Sequence, residues 1–215
     1  MSKVEIRKKH IILMLCGLLA VVCILFCTHV FLIRNAEYGF ARSVSAREKE
    51  LRLDVVRTAQ GWLGSCEKDG SHQNIIDRYN GHSPLAQGYV VQYSDNWCAT
   101  FVSCVAIECG LTDIIPTECS CERQINLFDG LGCWQESDGY VPLPGDLIFY
   151  CMTNKRSGDC VAWSDHVGIV VGTWNNRIKV IEGNNGDCVS YRYIPVNDKT
   201  IRGFGIPDYA SKCIE

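Results

Sequence analysis

The chain has 215 residues, 47% of them hydrophobic and 21% charged, and a formal net charge of −3. A length of this order buries a full core without metal or disulfide staples, and there is no low-complexity tract or internal repeat. The charge is uneven. Lys3, Arg7, Lys8, Lys9 and Arg34 flank the first hydrophobic run, whereas from residue 35 onward 16 basic against 23 acidic residues leave −7. An acidic body argues against nucleic acid as a partner, which wants a basic stripe to displace counterions.

The first element in chain order is the run Ile11 to Ile33, whose only ionisable group apart from thiols is His29. At about 1.5 Å per residue it is long enough to cross a hydrocarbon core of about 30 Å. A cleaved secretory signal has a shorter apolar region with a small-x-small site close behind it. Here Arg34 follows at once, and Val44-Ser45-Ala46 lies far downstream. The expectation is an uncleaved, single-pass membrane anchor at residues 11–33. A basic cytoplasmic tail at 1–10 precedes it and a polar stalk at 34–50 follows. The domain at 51–215 lies outside the cytoplasm.

Fourteen cysteines are present, eleven of them beyond the membrane run, with no C-x-x-C; the tightest pair is Cys119-x-Cys121. That spacing speaks against structural zinc and a thioredoxin-type motif. In an oxidising compartment the eleven read as one active thiol plus ten absorbed by disulfides, Cys151–Cys160 among them.

A helix starting near Arg47 carries Leu51, Val55, Ala59, Trp62 and Leu63 at helical spacing, with Gly64 as its C-cap. A second short helix covers HQNIIDRYN. The segment SDNWCATFVSCVAIECG reads as a buried helix with Asp95 or Asn96 as N-cap and Gly110 at its end. Cys98 then falls in the first turn, at the positive end of the helix dipole, where a thiolate is favoured. On a helical wheel Cys98, Val102, Val105 and Cys109 share one face, Cys109 the deeper, while Cys104 points elsewhere. Ile125 and Phe128 mark another short helix closed by Gly130. From PLPGDLIFYC onward the pattern is β: HVGIVVGTW and RIKVIEGN flank Asn175-Asn176, and YRYIPV and RGFGIPDY follow. Helices first and antiparallel strands after is an α+β layout.

A cysteine nucleophile needs a base within reach and a third group to orient it. His72 and His82 lie in polar contexts and read as solvated. His166 opens an apolar strand. A regular two-residue loop at Asn175-Asn176 pairs His166 with Asn185 and turns Glu182 to the opposite face. An odd-length loop centred on Asn175 instead pairs His166 with Asn184, Gly168 with Glu182, Val170 with Val180 and Gly172 with Ile178. A bulge restores the same parity. In that register His166, Glu182 and Asn184 share a face, Lys179 takes the other, and Gly168 leaves room between Glu182 and His166. Val170, Ile178 and Val180 then pack under the cysteine helix. Either Glu182 or Asn184 orients the histidine. Asp165 and Trp163 shape the rim. Gln92, Tyr93 or, more securely, the Cys98 backbone N–H stands where an oxyanion donor is needed.

The set DNWCATFVSCVAIECGL, PLPGDLIFY, SDHVGIVV and VIEGNNGD resembles the CHAP family, the cysteine, histidine-dependent amidohydrolases/peptidases of bacteria and their phages. The likeness runs from about Leu51 to Tyr209. It implies a papain-like fold, related to the NlpC-type peptidases, with Cys98 as nucleophile, His166 as base and Glu182 with Asn184 as polar partners. It also implies cleavage of peptidoglycan amide bonds, either between muramic acid and L-alanine or within the peptides, without a cofactor. Some relatives carry an Asp-rich calcium loop before the nucleophile; QYSDNW has only Asp95, so no metal is expected. With the anchor, the expected partners are peptidoglycan, the membrane and a secretion or conjugation machinery. The alternatives are a cysteine protease or transamidase acting on a surface protein, and an assembly factor with an idle site.

Overall fold

Ser45 starts the first helix: its backbone is extended, and its Oγ accepts the Glu48 N–H at 3.1 Å. This is the cap expected of a hydroxyl at that position. The computed structural model describes residues 16–17, 19–24, 39–40, 44–137, 139–153 and 163–213. The chain divides into two units, 1–38 and 39–215. In the first, residues 16–17 and 19–24 are helical. Among the described residues no helix is long and apolar enough to cross a membrane. The expected cytoplasmic tail and most of the expected span Ile11–Ile33 lie outside the described residues.

The second unit contains helices α1 (Ala46–Gly61), α2 (Gln73–Asn80), α3 (Cys98–Cys109) and α4 (Cys121–Gly130). Strands β1 (Trp134–Gln135), β2 (Leu147–Tyr150), β3 (His166–Trp174), β4 (Arg177–Glu182), β5 (Ser190–Pro195) and β6 (Ile201–Gly205) follow. All pairings are antiparallel, in the order β1-β6-β2-β3-β4-β5. The α+β class is therefore as expected. Helix α1 starts at Ala46, within a residue of the expected start near Arg47; β1 had no sequence signal.

Helix α1 is pinned to the turn before β2 by a buried ion pair. Arg52 donates to Asp146 Oδ1 at 2.7 Å and to the Pro144 carbonyl at 3.2 Å, and stacks over Tyr209. Asp146 Oδ2 also accepts from the Tyr140 hydroxyl and the Leu143 N–H, so its two oxygens are satisfied. A buried carboxylate is tolerated only when paired and hydrogen-bonded in this way.

Helix α3 ends at Gly110, left-handed at φ 65°. The helical-wheel argument fails for it, because every residue from Cys98 to Ala106 is buried. Cys104 is the deep thiol and Cys109 the half-buried one, against expectation. Its N-cap is Trp97, with no side-chain cap; the Asp95 carboxylate is taken by the Gln92 N–H and the Tyr89 hydroxyl. The helix meets the sheet at Gly183, where a Cβ would lie 2.4 Å from Phe101 Cβ. Val170, Ile178 and Val180 do not pack under it. They join Ile148, Tyr150, Ile194, Ile201 and Phe204 in a cluster drawn from strands alone.

The β3–β4 hairpin turns on Asn175 and Asn176, both at positive φ (48° and 61°), so the loop has two residues. That conformation matches the twist of paired strands. Trp174 pairs with Arg177, Thr173 with Ile178 and Gly172 with Lys179; a bulge then follows, and Val170 pairs with Val180. The expected Gly172–Ile178 pair is therefore absent. The bulge adds one residue to β3 and restores the parity that an odd loop would have produced.

Among the outer cysteines, Cys66 and Cys188 form a disulfide, and Cys151 is disulfide-bonded; Cys160, its expected partner, lies outside the described residues. Cys98, Cys104, Cys109, Cys119, Cys121, Cys133 and Cys213 are free. The expectation of one active thiol among ten bridged ones does not hold, because thiols in helices such as α3 are buried as small hydrophobes.

Candidate active site

Cys98 opens α3 and His166 opens β3; both side chains line one cleft, and each shifts the titration of the other, the thiol downward and the imidazole upward. His166 Nε2 lies 3.0 Å from Glu182 Oε2. Nε2 is thus occupied, and Nδ1 is the nitrogen left for the thiol. Tyr150, the cross-strand neighbour of His166, stacks its ring on the imidazole at 5.9 Å between centroids. Glu182 is fully buried, and a Cβ on Gly168 would lie 2.6 Å from its Cγ. The absence of a side chain at 168 is what lets the carboxylate cross to the histidine, as the register argument required.

Glu182 has a second partner that sequence reasoning missed. Arg192 Nε donates to both carboxylate oxygens, at 2.8 and 2.9 Å, and its Nη2 donates to Asn185 Oδ1 at 3.0 Å. In β5 it pairs with Val180, so alternation puts it on the Glu182 side of the sheet. A charged residue at an inward position of YRYIPV was the available signal. Asn184 does not orient the imidazole. It sits at φ 55°, and its Nδ2 donates to Asn96 Oδ1 at 3.4 Å. Of the two alternatives left open, Glu182 reaches the ring.

A cleft of about 340 Å³ opens over these groups, lined by Asn96, Cys98, Asp165, His166, Asn184 and Arg192, with Asn185, Gly186, Met152 and Thr153. Asp165 is on the rim as expected and accepts the Met152 and Thr153 N–H groups. Gln92 and Tyr93 do not line the cleft. The Gln92 amide donates to Val90 O and the Tyr93 hydroxyl to Asp77. Asn96 occupies the place considered for them. His72 is not solvated: it is buried, with its ring nitrogens on the carbonyls of Cys66 and Tyr93.

The electrostatics favour an ion pair. The strongest influence on Cys98 is a hydrogen bond from the Cys121 thiol; burial opposes it, His166 adds to it, and the thiol is held well below its ordinary value. Burial would lower His166, but Cys98 and Glu182 override it and raise the imidazole to about 9. Burial pushes Glu182 up, and His166 with Arg192 more than offsets this, leaving the carboxyl below its usual range. Cys121 was not singled out by sequence: its Sγ stands 3.5 Å from that of Cys98.

The chain matches no protein-family model, no curated protein and no solved structure.

Proposed function

We propose that the chain is a cysteine amidohydrolase of the CHAP kind, with a papain-like fold, that cleaves amide bonds of bacterial peptidoglycan. In this reading residues 11–33 anchor it in the cell membrane and the catalytic domain faces the wall. The observation that carries the proposal is one open cleft lined by Cys98 and His166, with the imidazole held at 3.0 Å by the buried Glu182. A helix-borne thiol meeting a strand-end imidazole is the arrangement used by papain-like enzymes, and nucleophile, base and orienter are the three roles required.

The Cys98 thiolate attacks the scissile carbonyl carbon. The developing oxyanion takes a hydrogen bond from the Cys98 backbone N–H at the helix start and from the Asn96 amide. The imidazolium gives its Nδ1 proton to the leaving amine, and an acyl-thioester remains on Cys98. Water, deprotonated by the now neutral His166, hydrolyses it. Glu182 holds the ring and stabilises its charged form, and Arg192 keeps Glu182 ionised throughout.

Wild-type protein is expected to release soluble muropeptides from purified walls, with the cleaved bond read from their masses. Cys98→Ala should abolish release with the fold retained, whereas Cys104→Ala and Cys109→Ala should keep it. Equal release by Cys98→Ala and wild type would remove Cys98 from the mechanism. Cleavage of a surface protein with walls left intact would favour the protease or transamidase reading, and no cleavage of either would favour the idle assembly factor.

A further inference from the structure

The proposed hydrolysis uses one thiol, yet two meet at the site. Cys121 Sγ lies 3.5 Å from Cys98 Sγ, and both residues are buried. Each is the first residue of a helix, Cys98 of α3 and Cys121 of α4, so two helix N-termini converge on the sulfurs and favour negative charge there; Cys98 takes that charge, while Cys121, hydrogen-bonded to Cys98 and buried, is held well above its ordinary value. Burial pushes Cys104 up to about 12 and also raises Cys109 and Cys119. Disulfides occur elsewhere in the same domain, at Cys66–Cys188 and at Cys151.

We propose that Cys98 and Cys121 form a reversible disulfide site that exchanges with a low-molecular-weight disulfide and, in its oxidised form, withdraws the nucleophile from the cleft. Cys98 lines the cleft and Cys121 does not, so the incoming disulfide meets Cys98 first. The Cys98 thiolate attacks one sulfur of R–S–S–R, forming a mixed disulfide and expelling RS⁻. Cys121 gives up its proton and attacks the Cys98 sulfur, closing the intramolecular bond and expelling a second RS⁻. The proton from Cys121 and the one held by His166 convert the two leaving thiolates to RSH. Two electrons pass from the protein to the donor, and excess thiol reverses every step. Closing the bond brings the sulfurs from 3.5 Å to the bonded distance of about 2 Å. The disulfide itself requires only the two thiols; its effect as a switch rests on Cys98 being the nucleophile.

The full-length chain, purified with reductant in detergent and then freed of it, is treated with glutathione disulfide. Free thiols are alkylated and the digest is mapped by mass spectrometry, with the Cys66–Cys188 peptide pair as internal control. The expected result is a peptide pair joined through Cys98 and Cys121, lost on mild reduction, with no lasting glutathione on Cys98. Cys121→Ser should convert it to a persistent Cys98–glutathione adduct. Should that variant fail to fold, the wild-type map decides alone. A persistent adduct on wild-type Cys98, or alkylation of both Cys98 and Cys121 after treatment, overturns the proposal. Wall hydrolysis is expected to be lost with the crosslink and restored by mild reduction. A crosslink in protein that hydrolyses no wall when reduced upholds the disulfide site and overturns the peptidoglycan reading.

Discussion

Glu182 is the residue on which the site turns. It is fully buried and serves two cations, His166 through Nε2 and Arg192 through Nε. Removing one partner of a buried pair leaves the other uncompensated, at a cost of about 3–5 kcal/mol. Glu182→Gln is therefore expected to lower the unfolding free energy by an amount of that order, read from a urea titration. It should also change the pH profile, and the sign follows from the ion pair. Below the depressed value of Cys98 the thiolate is protonated and the rate falls. Above about 9, where His166 loses its proton, the leaving amine has no acid and the rate falls again. The neutral amide takes away one of the influences that raise His166, so the alkaline limb of kcat/KM should move to lower pH. An unmoved limb would mean that Glu182 does not set the base.

At the scale of elements, one bulge decides whether there is a site at all. A two-residue turn on Asn175-Asn176 with unbroken pairing turns Glu182 away from His166. The extra residue between Val170 and Gly172 reverses that parity. The gap at Gly168 is the second local condition. Gly168→Ala would put a methyl 2.6 Å from both Glu182 Cγ and Val180 Cγ1. Overpacking of this kind costs about 1–3 kcal/mol, and here it bears on the carboxylate itself. The expected outcome is a folded protein with a lower melting temperature and a larger loss of kcat than of substrate binding. Unchanged kcat would show that Glu182 relaxes without leaving the imidazole. Lys179, at the opposite parity, lies over the Tyr191 ring at 3.9 Å and not near the cleft.

At the scale of the whole molecule, the Cys66–Cys188 disulfide joins the segment after α1 to the loop that carries Asn184 and Asn185, across 122 residues of sequence. Short backbone bonds reinforce it: Gly64 N–H to Val189 O, Val189 N–H to Ser65 O, and Glu67 N–H to Asp187 O. Glu67 in turn accepts the Trp97 indole N–H at 3.0 Å, next to the nucleophile. In the chain-entropy treatment a closed loop of this length contributes about 4–5 kcal/mol. The double variant Cys66→Ser/Cys188→Ser is expected to unfold at clearly lower urea concentration, with reduced wall hydrolysis from the folded fraction. Equal midpoints would assign the stability of this junction to the backbone bonds and the Glu67–Trp97 contact.

Much of this was legible in the sequence, because it depends on neighbours along the chain. The four helices, the five longer strands, the Gly110 cap and the placement of Cys98 at a helix start and His166 at a strand start follow from capping residues and short periodicities. Even the face shared by His166 and Glu182 could be argued, but only by invoking an odd loop or a bulge, since the two-residue turn by itself gives the opposite parity. The rest required the fold. Arg192, Asn96 and Cys121 reach the site from a fifth strand, a loop and a separate helix. No periodicity within one element reports where another comes to rest. Helix α3 shows the limit most plainly: buried on every side from Cys98 to Ala106, it has no polar face, so a helical wheel could not rank its three thiols. The pairing of Cys66 with Cys188 and the burial of His72 have the same origin. Both depend on long-range packing, where contacts between distant segments outweigh the polarity of the residues beside them.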